Sequence, residues 1–343
     1  MKVTIKDIAN LAGVSTATVS KIINNKDDIS EVTRGKVKKI MKENNYVPNV
    51  VARSLVTKKT NTIGLVIPDI RNPFFPELAR GAEDRANEEG YNIIFCNTDD
   101  VLVKEEKYVD MLIEKMVDGI IFTASAKRTT GFTNLQNTSI PIILLDRDIE
   151  FAGVKGKITV NNFQGAYNGV KHLISVGYKK IVFVSGSLLS KPGLDRCEGY
   201  KKALNDHGFA NDDAIILEGE YKSEWGYQAV KYLMQNNKKF DALFCGDDLI
   251  AIGAMKLLKE EGIKIPNDVG IVGFDDIYLA SLVDPELTTI RQPNYEMGYQ
   301  AVGMLMGILK NKMTKNQEIV LDTSLIIRKS TSKIKSKGAK TLS

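Results

Sequence analysis

The 343-residue chain is 43% hydrophobic and 26% charged, with 47 Lys/Arg against 42 Asp/Glu and a formal net charge of +5. It is long enough for one small and one large domain, or for a small domain joined to two lobes, while three widely spaced cysteines, Cys96, Cys197 and Cys245, argue against a disulfide framework and offer no metal-ligand spacing. No run approaches 18 uninterrupted apolar residues, and Lys6, Asp7 and Asn10 break the opening, so neither a membrane span nor a signal segment is expected and the chain reads as cytoplasmic. The net charge conceals a division. Residues 1–60 hold 12 Lys/Arg against 5 Asp/Glu and residues 328–343 hold 6 against none, leaving 29 basic and 37 acidic residues between them.

Residues 3–24 form two short helical patterns that meet at Ala12-Gly13-Val14. Ile5, Ile8, Ala9, Val14, Val19 and Ile22 supply an apolar stripe that locks the pair together, and Gly13 permits the tight turn. The second pattern carries Ser15, Thr16, Thr18, Ser20 and Lys21, small polar donors and acceptors suited to the major groove of DNA. The surplus of seven positive charges in residues 1–60 suits phosphate neutralisation. A two-helix corner of an ordinary core and a solvated lysine-rich surface are the competing readings of these same features.

A third helix follows Glu31-Val32-Thr33-Arg34 through Val37, Ile40 and Met41, ending near Asn44-Asn45-Tyr46. After Tyr46-Val47-Pro48-Asn49 comes Val50-Val51-Ala52-Arg53-Ser54-Leu55, an amphipathic fragment too short to be a stable helix alone. It reads either as a plain linker or as a segment that folds when two copies meet on DNA, with Leu55 as an apolar wedge in the minor groove and Arg53 beside it. The expected DNA-facing set is Thr4, Ser15, Thr16, Ala17, Thr18, Ser20, Lys21 and Asn24, together with Asn49, Ala52, Arg53 and Leu55.

From Thr62 onward apolar runs alternate with helical patterns. Strands are expected at 63–67, 92–96, 119–123, 141–146 and 158–160, and in a second series at 180–185, 214–218, 242–245, 269–274 and 288–290. Helices are expected between them, at 76–89, 104–116, 164–176, 196–207, 225–236 and 249–261. Such alternation specifies parallel sheets with helices on both faces, and the count fits two similar lobes with a ligand site in the cleft outside the C-terminal strand ends. His172 and His207 fall in helical patterns with no Cys, Asp or Glu at ligand spacing, so no metal is expected.

The motifs TIKDIANLAGVSTATVSKIIN, YVPNVVARSL, TIGLVIPDIRNPFF, VDGII, DRCEGYKKAL and DVGIVGFDD stand in the order and spacing of the LacI/GalR family of transcriptional repressors, which the chain resembles over nearly all of residues 3–330. The resemblance implies an α/β chain organised as a three-helix helix-turn-helix headpiece at 1–48, a hinge helix and linker at 49–61 and a two-lobed periplasmic-binding-protein-like core at 62–330, while the lysine-rich composition of 331–343 reads as a basic, disordered tail. It implies a homodimer on a pseudo-palindromic double-stranded operator, with Thr16, Ala17 and Lys21 at the base-reading positions and Leu55 at the wedge position. The core also resembles sugar-binding proteins of the ribose type. Asn72, Phe74, Phe75, Asp146, Arg147, Arg196, Tyr221, Asp247, Asp275 and Gln292 fall at the matching effector positions.

Aromatic rings cover the apolar face of a sugar, carboxylates accept from adjacent hydroxyls and arginines donate from a planar fork. Ser190 stands where purine-binding relatives carry an Arg, which disfavours a purine. The expected regulator is therefore controlled by a small sugar, ribose or another pentose, with a different small molecule or a protein co-regulator as the alternative. A secreted sugar-binding protein would lack residues 1–60. An enzyme would need a nucleophile elbow, phosphate loop or His-centred cluster, none of which occurs, and no cofactor is expected. Asp247-Asp248 and Asp275-Asp276 are carboxylate pairs whose members should point apart. The tail has no leucine heptads, which favours a dimer over a tetramer.

Overall fold

The structure is a computed structural model describing residues 3–24, 28–47, 59–149, 151, 153–209, 214–311 and 317–332. Asn49, Ala52, Arg53 and Leu55 of the hinge, and the tail from residue 333, lie outside the described residues. The chain divides into a unit ending at Thr60 and a larger one beginning at Asn61.

The smaller unit holds α1 (Ile5–Ala12), α2 (Thr16–Ile23) and α3 (Glu31–Glu43). Gly13 sits at φ 66°, a left-handed cap that lets the chain reverse between α1 and α2 with little steric cost. Ile8, Ala9, Ala12, Val19, Ile22 and Val37 are buried together, so the stripe read from the sequence is the core of this unit. Each helix begins on a hydroxyl cap: Thr4, Ser15 and Ser30 accept from the backbone of the first turn.

The larger unit consists of two lobes, each built on a six-stranded sheet. The first contains β1 (Thr62–Ile67), α4 (Phe74–Glu88), β2 (Asn92–Asn97), α5 (Leu102–Glu114), β3 (Gly119–Phe122), α6 (Thr133–Asn137), β4 (Ile142–Leu145) and β5 (Val154–Val160). The second contains α7 (Asn162–Ser175), β6 (Ile181–Ser185), α8 (Lys191–Asp206), β7 (Ile215–Glu218), α9 (Ser223–Gln235), β8 (Ala242–Cys245), α10 (Asp248–Glu260), β9 (Gly270–Asp275) and β10 (Thr288–Arg291). Then α11 (Asn294–Leu309) and β11 (Gln317–Leu321) return to the first lobe, and β12 (Ser324–Ile326) to the second.

Sheet orders are β11-β5-β4-β3-β1-β2 and β12-β10-β9-β8-β6-β7, with every pairing parallel except the antiparallel β10–β12 edge. Central strands such as GIIF and IILL are buried along their whole length because helices cover both faces. The three cysteines are free and buried.

Three strand connections therefore cross between the lobes, at 160–162, 291–294 and 321–324, where the sequence pattern had suggested two successive series. The first and third are tied together by Asn161 N donating to Leu321 O at 2.9 Å. Helix α4 starts two residues before Pro76, which a first turn tolerates because its N–H groups lack intrahelical partners. Helix α8 starts five residues before the expected Arg196, on the Ser190 cap. Helices α4 and α11 pack at backbone contact: a Cβ on Gly81 would run into Tyr295 O, and one on Gly298 into Leu78 O.

Candidate functional site

The exposed end of α2 presents the residues expected to meet DNA. Ser15, Thr16, Ala17 and Lys21 are exposed, while Thr18, Ser20 and Asn24 are half-buried. Ser15 Oγ accepts from Thr18 N at 3.0 Å and lies 2.9 Å from Thr18 Oγ1, so the cap also orients two hydroxyls outward. Asn24 Nδ2 closes the far end of the helix on Ser20 O at 2.9 Å, and Lys21 Nζ pairs with Asp28 at 2.5 Å. Thr4 is fixed by a capping box with Asp7. A positively poled helix start carrying small hydroxyl groups, with Ala17 leaving room beside them, can approach phosphates and base edges closely.

In the larger unit a cavity of about 590 Å³ opens between the lobes at the C-terminal strand ends. Nine of the ten expected effector residues line it: Asn72, Phe74, Phe75, Asp146, Arg147, Arg196, Tyr221, Asp275 and Gln292. Asp247 does not. It caps α10 through Ile250 N at 2.7 Å, and its other oxygen lies 3.5 Å from Asn72 Nδ2 of the opposite lobe. Ser187 Oγ donates to Ala126 O at 3.4 Å, a second contact across the cleft.

Of the expected residues that line it, each lobe supplies one aspartate and one arginine. From the first, Arg147 Nη1 donates to Ala124 O (2.9 Å) and Asp100 Oδ1 (3.1 Å), with Asp146 3.8 Å away. From the second, Arg196 Nε donates to Asn162 Oδ1 (2.8 Å), Nη1 to Gly246 O, and the guanidinium lies 3.8 Å from the Phe274 ring centroid. Asp275 faces Arg196 at 3.9 Å and accepts from Gln292 Nε2 at 2.6 Å. Phe74 and Phe75 meet edge to face with centroids 4.9 Å apart.

Asp146 and Asp275 both adopt positive φ, 65° and 112°, strain of the kind that concentrates at binding sites. Burial pushes the Asp146 carboxyl above its usual range against the pull of Arg147 and Arg196. Burial does the same to Asp275, reinforced by Asp247 and Asp248 and opposed by Arg196 and the Gln292 hydrogen bond. Two buried acceptors lining the cavity, Asp146 Oδ1 and Gln292 Oε1, have no hydrogen-bond partner among the described residues. Buried polar atoms rarely stay unpaired, so these two call for a donor from a ligand or from water.

A family model described as "Periplasmic binding proteins and sugar binding domain of LacI family" matches residues 60–329, and one described as "Bacterial regulatory proteins, lacI family" matches residues 4–49. The chain belongs to the LacI family of bacterial regulatory proteins. It is a helix-turn-helix DNA-binding transcriptional regulator and not an enzyme. It is similar to the HTH-type transcriptional regulator RegA of Clostridium saccharobutylicum, at 40% identity over 333 residues, 96% of this chain and 100% of the relative. The ribose operon repressor of Halalkalibacterium halodurans is 36% identical over 328 residues, 96% of this chain and 97% of the relative. Among solved structures, the lac repressor dimer bound to operator and the anti-inducer ONPF matches with a TM-score of 0.83 at 27% identity, covering 96% of this chain and 99% of that one.

The LacI-family core also brings to the cavity several residues that sequence reasoning passed over, among them Asp69, Asp99, Asp100, Ser187, Glu218 and Glu220. All but Glu218, which ends β7, follow the C-terminal end of a strand, and the rule that open α/β sheets bind there was the signal available. Ser190 caps α8 through Gly193 N and lies 3.5 Å from the Tyr221 hydroxyl. No described helix is long and apolar enough to cross a membrane.

Proposed function

We propose that this regulator represses a carbohydrate-utilisation operon, binding a palindromic operator as a dimer and responding to a neutral sugar, ribose or another pentose, in the interlobe cavity. The observation that carries the sugar reading is the pair of unpaired acceptors, Asp146 Oδ1 and Gln292 Oε1, contributed to the cavity from the two sides of the cleft. A ligand that donates through two or more hydroxyls satisfies both. Both arginines already have protein partners, and the lining carries seven carboxylates against four cations, which disfavours a phosphorylated ligand. The name of the ribose operon repressor relative agrees with a pentose. The exposed Thr16, Ala17 and Lys21 support base reading by α2, and the wedge role of Leu55 rests on the family resemblance.

A sugar touching both lobes favours the arrangement that brings them together, and by reciprocity it changes operator affinity only as much as operator changes sugar affinity, typically ~1–3 kcal/mol for such couplings. The single tryptophan provides the assay. Trp225 Nε1 donates to Ser185 O at 2.8 Å and its ring packs on Gly219 of the cavity wall. Titration with ribose should shift Trp225 emission and alter retention of the protein's own promoter DNA, and ribose 5-phosphate should do neither. Silence toward every pentose, or tighter binding of the phosphate, overturns this reading.

A further inference from the structure

The turn that presents Asp275 is held by groups that do not face the cavity. Asp276 also has positive φ, 56°, so two consecutive non-glycine residues occupy the left-handed region. Its carboxylate points away from the cleft: one oxygen takes Arg291 Nε at 2.7 Å and the other Arg328 Nη2 at 2.6 Å. Arg291 ends β10 and adjoins Gln292, the first residue of the second crossover and the partner of Asp275. Arg328 follows β12, just past the third crossover, and its Nη1 donates to Leu287 O at 2.8 Å. Below, Asp248 accepts from Ile277 N at 2.9 Å and from the Thr289 hydroxyl, so the turn is gripped on both sides of Asp276.

We propose that Asp276 is a positioning residue for effector binding: its Arg291 bond ties the strained turn that aims Asp275 to the start of the second crossover, and its Arg328 bond ties it to the segment that leaves β12, the strand into which the third crossover runs. The proposal rests on the effector reading of the cavity. With the side chain 6% exposed, the Asp276–Arg328 pair sits largely out of water, where truncating one partner is felt strongly. Displacing either connection pulls on Asp276 and re-aims the neighbouring carboxylate. A sugar that holds Asp275 in place biases those connections in return.

The test is a double-variant cycle on the full-length protein. Asn tolerates positive φ, so Asp276→Asn keeps the turn while removing the charge. Asp276→Asn and Arg328→Gln should each weaken ribose binding about tenfold by Trp225 emission, and the double variant should be no weaker than either alone, because one interaction is shared. Unaltered ribose affinity in Asp276→Asn, or losses that simply add, overturns the proposal. Amide exchange on the sugar-free protein keeps the two readings apart. Should the unaltered protein ignore ribose, the effector reading fails, while faster exchange of the Gln292 and Arg328 amides in Asp276→Asn still supports the clamp and unchanged exchange refutes it.

Discussion

The two lobes offer the cleft the same pair of groups in different states of commitment. In the second lobe Arg196 is occupied by Asn162, Gly246 and Phe274, and Asp275 is aimed by Gln292, with Asp248 and Asp276 bracing its turn. In the first, Arg147 is anchored on Asp100 and Ala124, but Asp146 keeps a buried oxygen without a partner. One carboxylate is braced in advance, and the other still lacks a donor, although Gln292 beside the braced one also keeps an open acceptor oxygen. Preorganisation lowers the ordering cost of binding, so the braced carboxylate should contribute more to affinity than the open one.

The same isosteric change in each lobe sharpens that comparison. Asp275→Asn should lower ribose affinity most, about 100-fold, because it removes a charged acceptor and also disturbs its Gln292 partner. Asp146→Asn should cost about tenfold, since one acceptor oxygen survives and only the long 3.8 Å pairing with Arg147 is lost. Isothermal titration measures both, and equal losses would erase the distinction between the walls. Operator retention without sugar should be unchanged in either variant.

Acidity gives a third and milder test. Both carboxyls have folded-state values raised by burial, so the folded chain binds protons more tightly than the unfolded one between the ordinary carboxylate range and the raised values. Within that window the contribution of these groups to stability rises as pH falls and is lost as pH rises. Sugar affinity should move the opposite way, falling on acidification as the acceptors take up protons. Thermal midpoints and ribose titrations at matched pH check the opposed trends, and parallel trends would contradict the assignment of Asp146 and Asp275 to sugar.

The period of the apolar pattern made the alternating architecture legible, and residues just after strands made most of the cavity wall legible. What escaped the sequence was long-range. The pattern carries no sign that α11 and β11 return to the first lobe, because β11 is a short, half-exposed edge strand without the continuous apolar run of a central one. The acidic doublets were expected to split, and they do: Asp275 faces the cleft while Asp276 grips arginines, and Asp247 caps α10 while Asp248 holds the next turn. That Asp247 would cap α10 rather than line the cavity was not readable, since cap and wall positions lie close in sequence and use the same chemistry. Asp100 was missed because its partner, Arg147, lies 47 residues away.

The glycine contact between α4 and α11 bears on how movement passes through the first lobe. Side chains that interdigitate can slide by changing rotamer, but main chain resting on main chain has no such slack. The two helices must turn together like a welded bracket. Rotation begun where the strands cross between lobes therefore reaches the outer end of that bracket without being absorbed along the way. A methyl group inserted at Gly298 would act as a shim against Leu78 O of α4, felt both along that bracket and at the helix start that carries Phe74 and Phe75 to the cavity.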